Sequence, residues 1–211
     1  MSNYLSKIKK EWQILAKNKL FRNQFLTALI VLTILLIILP KFLAYVETRH
    51  GTIINDPILN LFTPIDLTWL IFIILYGTLG FALFYLITKP MLLLTAITSY
   101  AIMIFFRIIA MYLLPLDPPV LMIALYDPFV GLFEKGTTLT RDLFFSGHTA
   151  IMFILYLVSK NKKIKSFFLV ATIAIAGLVL LQHVHYTVDV FVAFFAAFAA
   201  YSIAVKIIRQ A

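Results

Sequence analysis

The chain contains no cysteine, so neither a disulfide framework nor a thiolate nucleophile or metal site is open to it. Charge is scarce as well: only 13% of its 211 residues are charged, against 63% hydrophobic. So little charge excludes a soluble globular domain and points to a chain that is mostly membrane span. Acid is the scarcest charge, with 9 Asp and Glu against 18 Lys and Arg, for a net charge of +9. The basic residues sit in short segments beside apolar runs, where they act as topology signals and contacts for anionic lipid. No nucleic-acid partner is therefore expected. A cleavable leader is not evident either. The first apolar run begins near residue 24, is too long for a signal-peptide core and lacks a small-residue cleavage pattern.

What is present is a series of long apolar segments. The length leaves room for about six helices of roughly 20 residues and for no separate soluble domain. Residues 1–211 read as a single integral membrane domain, all-α and polytopic: a six-transmembrane-helix bundle. Residues 1–23 carry Lys7, Lys9, Lys10, Lys17, Lys19 and Arg22, with Leu5, Ile8, Trp12 and Leu15 at helical spacings. This basic amphipathic segment is either an interfacial helix or a tail that only sets orientation. The six spans are expected at about 24–46, 65–87, 91–114, 146–159, 166–182 and 186–208. The first is expected to be interrupted at Pro40-Lys41; the second and third are joined by the tight turn Thr88-Lys89-Pro90. Residues 115–142 make the one long loop.

Charge then sets the orientation. The N-terminal segment, the Lys89 turn, the Lys160 to Lys165 loop and the C-terminal Lys206 and Arg209 hold 13 of the 18 basic residues. That side, with both termini, is expected to be cytoplasmic. Eight of the nine acids, all but Glu11, fall on or near the other side, which is periplasmic, extracellular or lumenal. Connectivity places the end of span three and the starts of spans four and six on that outer face, so Arg107, His148, His185 and Asp189 can converge.

Their types suit phosphoryl chemistry. In His183-Val184-His185-Tyr186-Thr187-Val188-Asp189-Val190, a helix over 186–208 would bring His185 and Asp189 to one face. A carboxylate that orients an imidazole raises its basicity and selects the ring nitrogen free to attack. Ser146-Gly147-His148-Thr149 reads as a helix start, with Ser146 as N-cap, outward amides and a glycine permitting close approach. Such a terminus is a ready anion site. Arg107, in the final turns of span three, is either a phosphate ligand or a snorkelling side chain. His-x-His with a further His and Asp also raises a metal site, but no carboxylate at a typical spacing completes the set, and no metal or other cofactor is expected.

Arg141-Asp142-Leu143-Phe144-Phe145-Ser146-Gly147-His148-Thr149 and the His183 to Val190 stretch resemble the two catalytic motifs of the sphingomyelin synthase family, within the type 2 phosphatidic acid phosphatase superfamily. Arg107-Ile108-Ile109-Ala110-Met111-Tyr112, followed by Pro115 and Pro118, is similar to that family's arginine and tyrosine motif. The resemblance implies a six-helix core, an outer-leaflet site, a catalytic triad of His148, His185 and Asp189, and transfer of a phospho-headgroup from a glycerophospholipid to ceramide. Its partners would be a membrane phospholipid donor and a lipid alcohol or water as acceptor. Departures are visible: Arg141 stands where a glycine is expected, Asn55-Asp56-Pro57 with Pro64 is only loosely similar to the first family motif, and the Arg-Pro pair of typical lipid phosphatases is absent. The phosphate would then be met by Arg107, Arg141, Lys135 or His183, with Arg107 and Arg141 favoured, and with Ser146, Gly147 and Tyr112 as further binding candidates. A lipid phosphate phosphatase is the nearest competing function. A transporter or structural membrane protein is the alternative from another class, and predicts polar groups near the middle of spans.

Overall fold

The computed structural model describes residues 2–126 and 139–209. Among these the chain is all-helical: α1 (Ser2–Lys17), α2 (Lys19–Glu47), α3 (Thr68–Ile87), α4 (Pro90–Leu113), α5 (Gly147–Val158), α6 (Lys162–Leu181) and α7 (Thr187–Arg209), with one 3-10 turn at Leu59–Leu61. Five of them, α2, α3, α4, α6 and α7, are long and apolar enough to cross a membrane, which makes this an integral membrane protein.

The helix ends follow local chemistry. Asn18 separates α1 from α2 and caps the second, its side chain accepting from the amides of Leu20 and Phe21. The basic segment therefore ends earlier than expected, and Lys19 and Arg22 belong to α2. Nor does Pro40 interrupt that helix, which runs through it to Glu47. A proline removes one backbone bond, and spanning helices tolerate that loss. Pro90 opens α4 where its missing N–H is not needed, and Asn161 caps α6.

The six-span expectation meets its exception at α5. Its bounds nearly match the expected 146–159, but at 12 residues it rises only about 18 Å, against about 30 Å for the 20-residue α6 beside it. Residues 139–146 make up the difference without helix.

Although short, α5 is central: it packs against α4, α6 and α7, while α4 also packs on α2 and α7. Helix α7 presents Ala193, Ala197, Ala200 and Ala204, all fully buried, so that neighbouring backbones approach closely where apolar burial alone gives no drive within lipid. Two buried hydroxyls in the spans donate to carbonyls of their own helices, Thr172 to Phe168 at 2.7 Å and Ser99 to Thr95 at 2.6 Å.

Irregular chain covers one end of the bundle. Thr52 and Leu116 form a parallel bridge, with Thr52 N donating to Pro115 at 3.1 Å and Asp117 N to Thr52 at 3.2 Å. Gly51 permits it, because a Cβ there would stand 2.4 Å from the Leu116 carbonyl carbon. Buried Gln182 ties the same layer down: its oxygen accepts from Leu67 N at 2.9 Å, and its amide donates to the Thr68 hydroxyl and the Ile123 carbonyl.

Candidate active site

The centre of this end is the turn between α6 and α7. Helix α6 closes with two bonds of a Schellman cap, His183 N to Leu180 O and Val184 N to Val179 O, both 2.9 Å. That cap puts His183 in the left-handed region at φ 55°, where glycine or asparagine is the usual choice. Helix α7 begins two residues later than His185, so the expected stacking of His185 and Asp189 within one helix does not occur. The pair meets nevertheless. Asp189 lies in the first turn and reaches back to the Tyr186 amide at 2.9 Å, half of a capping box, and the same Oδ2 stands 3.4 Å from His185 Nδ1. Both side chains are buried, and His185 Nδ1 and Asp189 Oδ1 make no hydrogen bond among the described residues. The 3.4 Å approach is thus a contact with open hydrogen-bonding capacity on both sides, as is common in unliganded catalytic pairs.

The second histidine arrives from α5. Ser146 is its N-cap, with Oγ accepting from Thr149 N at 3.4 Å, and the Ser146 amide donates to the Asp189 carbonyl at 3.1 Å. That bond joins the starts of α5 and α7. His148, half-buried, then lies with its ring centroid 6.4 Å from that of His185.

Arg107 enters from α4. Its buried guanidinium donates Nε–H to the Phe145 carbonyl at 2.9 Å and pairs with Asp142. It lies so close to Gly147 that a Cβ there would stand 2.9 Å from Cζ and 3.0 Å from Nη1. A side chain at 147 would make the guanidinium shift, so glycine there permits this approach, which sets a cation beside the first amides of α5. Four separate sequence positions thus meet: Arg107, Ser146-Gly147-His148, His185 and Asp189.

Other candidates are engaged elsewhere. Arg141 donates Nε–H to Asp117 and Nη1–H to the Glu47 carbonyl, both at 2.6 Å, while the Glu47 carboxylate receives the amides of Thr140 and Arg141 at 3.0 Å. Arg141 fastens the segment leading to α5 onto the end of α2. Tyr112 is exposed, with its ring 5.3 Å from the Arg49 guanidinium. Lys135 lies outside the described residues. The buried His183 ring stands edge-on to Phe62 at 5.2 Å, its Nε2 without a hydrogen-bond partner among the described residues. Burial lowers its pKa, partly opposed by the nearby Asp56.

In the sequence Asp56 stands out only as part of the loose Asn55-Asp56-Pro57 motif. It is buried and clamps the 50s loop onto α7, accepting from Thr187 N at 2.6 Å, the Thr187 hydroxyl at 3.1 Å, Ile58 N at 3.0 Å and Leu59 N at 3.3 Å. Burial alone would raise its pKa, but these bonds outweigh it and hold the carboxyl below the usual range. Asn-Asp-Pro is a turn signal, and nothing local to it announces a partner 131 residues away. Tyr186 likewise carries no local signal of its partners. Its hydroxyl donates to the Asp117 carbonyl at 2.9 Å and accepts from Ile54 N at 3.2 Å, pinning both outer segments to the histidine turn.

Fold and site together define a membrane protein with a buried histidine and carboxylate pair, a second histidine and an arginine at one end of a helical bundle. Residues 141–206 match the family model described as PAP2 superfamily C-terminal, a stretch that contains His148, His183, His185 and Asp189. The match supports the PAP2 superfamily and, with it, a lipid phosphatase or phosphotransferase type of function. A search of curated proteins finds no match.

Proposed function

We propose that this protein is a lipid headgroup phosphotransferase, similar to sphingomyelin or ceramide phosphoethanolamine synthases, that works through a phosphohistidine at the outer face of the membrane. The observation that carries this reading is the meeting of His185, backed by Asp189 at 3.4 Å, with His148 at a ring separation of 6.4 Å, beside an arginine laid on the N-terminus of α5.

With Nδ1 turned to Asp189, Nε2 of His185 is the attacking atom. Its lone pair forms the N–P bond while the P–O bond to the donor's lipid alcohol breaks. His148, protonated, gives its proton to the departing oxygen and is left neutral. Arg107 and the α5 amides hold the phosphoryl oxygens, whose charge builds in the transition state. In the second half His148 takes the proton of an incoming hydroxyl, that oxygen bonds to phosphorus, and the N–P bond breaks. Water as acceptor makes the protein a hydrolase, and a phosphatase where the donor is a lipid phosphate monoester; a lipid alcohol makes it a transferase. The concentration of basic residues at the other end supports an outward-facing site.

The test is to incubate the purified full-length protein with a phospholipid labelled in its headgroup phosphate, with and without ceramide or diacylglycerol, and to identify the products. Label moving to the lipid alcohol is expected. Exclusive release of a water-soluble phosphate ester or phosphate would replace the transferase by a hydrolase. No turnover and no acid-labile label on the protein would remove the phosphohistidine reading.

A further inference from the structure

At the α1 end of the bundle, away from the histidines, a groove of about 450 Å³ runs between α2 and α4. Its walls extend from Asn23 to Leu35 on α2 and from Thr98 to Phe105 on α4, with Ile207 and Ile208 of α7 beside its mouth. The volume falls among ligand-holding clefts, which run to about 300–1,000 Å³. Val31, Phe105 and Ile207 are half-exposed, so the groove opens sideways to the bilayer. Two polar groups of its walls are already engaged: Gln24 Nε2 donates to the Ile207 carbonyl at 3.3 Å and the Thr98 hydroxyl to the Leu94 carbonyl at 2.9 Å. Apolar space of this kind stays dry, and left empty it forfeits dispersion contacts along its walls. Hydrocarbon from the surrounding lipid restores them. The length agrees: the α2 wall, residues 23–35, rises about 18 Å, against about 15 Å for the hydrocarbon of one leaflet. Trp12 sets the level of the mouth, because tryptophan favours the membrane–water interface and this ring packs edge-on against Phe21 and Phe25, on either side of Asn23. Charge then selects the headgroup. Lys19, Arg22 and Lys206 are exposed on the turns of α2 and α7 that border the mouth, an arrangement that attracts a negative group.

We propose that this groove is a binding site for an anionic phospholipid of the leaflet at the α1 end, with one acyl chain between α2 and α4 and the headgroup phosphate among Lys19, Arg22 and Lys206. The lipid is a resident ligand and not a substrate, because the walls hold none of the histidines and end on α4 at Phe105, short of Arg107. The site stands independently of the phosphohistidine reading.

The experiment adds to the full-length protein in detergent one equivalent of a phosphatidylglycerol that carries a photoactivatable diazirine midway along one acyl chain, and maps the crosslinked peptides. Label is expected in residues 27–35 and 98–105, displaced about tenfold more readily by unlabelled phosphatidylglycerol than by phosphatidylcholine with the same chains. Arg22→Gln and Lys206→Gln, both at exposed positions, should each weaken phosphatidylglycerol about fivefold and leave phosphatidylcholine unchanged. Val31→Trp fills the groove from a position 43% exposed and should abolish the label. Thr27→Phe narrows the same space nearer the mouth and should act in the same direction. Ile30→Trp, next to Val31 but outside the walls, should leave the label in place. Label spread alike over all the lipid-facing helices, label that survives both Val31→Trp and Thr27→Phe, or equal competition by the two headgroups would overturn the proposal.

Discussion

The two ends of this bundle carry positive charge in different forms. At the α1 end it is mainly lysine: Lys9, Lys10, Lys89, Lys162 and Lys206 are exposed, and Lys165 lies over the Tyr156 ring at 4.7 Å. Glu11 is the one acid in those segments. At the other end Arg49, Arg107 and Arg141 are buried or half-buried, and their donors go to named acceptors: Met111 and Tyr112 carbonyls, Phe145 and Asp142, Asp117 and Glu47. A lysine is a hydrated point charge that works at a distance, through membrane potential and anionic lipid. An arginine is a planar fork that holds several acceptors in fixed geometry. One end is thus written in net charge and the other in directed bonds, and substitutions at the two should behave differently.

The sharpest contrast is expected at the histidines. On the proposed mechanism His185→Ala removes the nucleophile and should abolish turnover of both a natural phospholipid and an activated aryl phosphate ester. His148→Ala removes the acid, so it should lose far more activity on the lipid than the first step loses on the aryl ester, whose leaving group departs as a stable anion. Acid-labile label should then accumulate on His185. If His185→Ala keeps that label and His148→Ala does not, the two roles are exchanged. Next in size, Asp189→Asn should lower the rate by about two to four orders of magnitude in a folded protein. A well-folded variant with near-normal rate would leave Asp189 as a helix cap only.

Glycines offer an internal control. Gly147→Ala drives a methyl group into the Arg107 guanidinium and should cost about 100-fold in rate, as displaced positioning groups do. Gly77→Ala meets nothing within 4 Å and should leave rate unchanged. Equal effects would show that helix packing, not the arginine, is being disturbed. The ends can also be told apart directly. A cysteine at residue 120 should react with an impermeant reagent from outside intact cells, and one at residue 162 should not. The reverse would turn the site to the cytoplasm.

The smallest effect concerns pH and is confined to the directed-bond end. The lowered pKa of Asp56 stabilises the fold in full above the ordinary carboxylate range, and this contribution is lost as pH falls through the group's own lower value. Asp117, held low first by its hydrogen bond from Arg141, acts in the same direction. The thermal midpoint of Asp56→Asn should lie below that of the wild type at pH 7 and converge with it as pH falls below the ordinary carboxylate range. A gap that stays constant with pH would assign the loss to packing.

By itself the sequence determined the membrane class, ten of the twelve expected span ends to within three residues, and the identity of the histidine and carboxylate cluster. These are legible because hydropathy, caps such as Ser146 and short spacings such as His185 to Asp189 act within one or two helical turns. Tertiary structure alone decided the rest. It decided that α5 is only 12 residues long and sits packed against α3, α4, α6 and α7. It sent Arg141 to Asp117 and Glu47 while laying Arg107 on Gly147, a choice between two chemically equal cations that depends on which chain lies within reach. It also joined Asp56 to Thr187 across 131 residues and set the buried His183 ring edge-on to Phe62. Contacts of that kind depend on where distant segments are folded together, and residue type or local spacing carries no record of them.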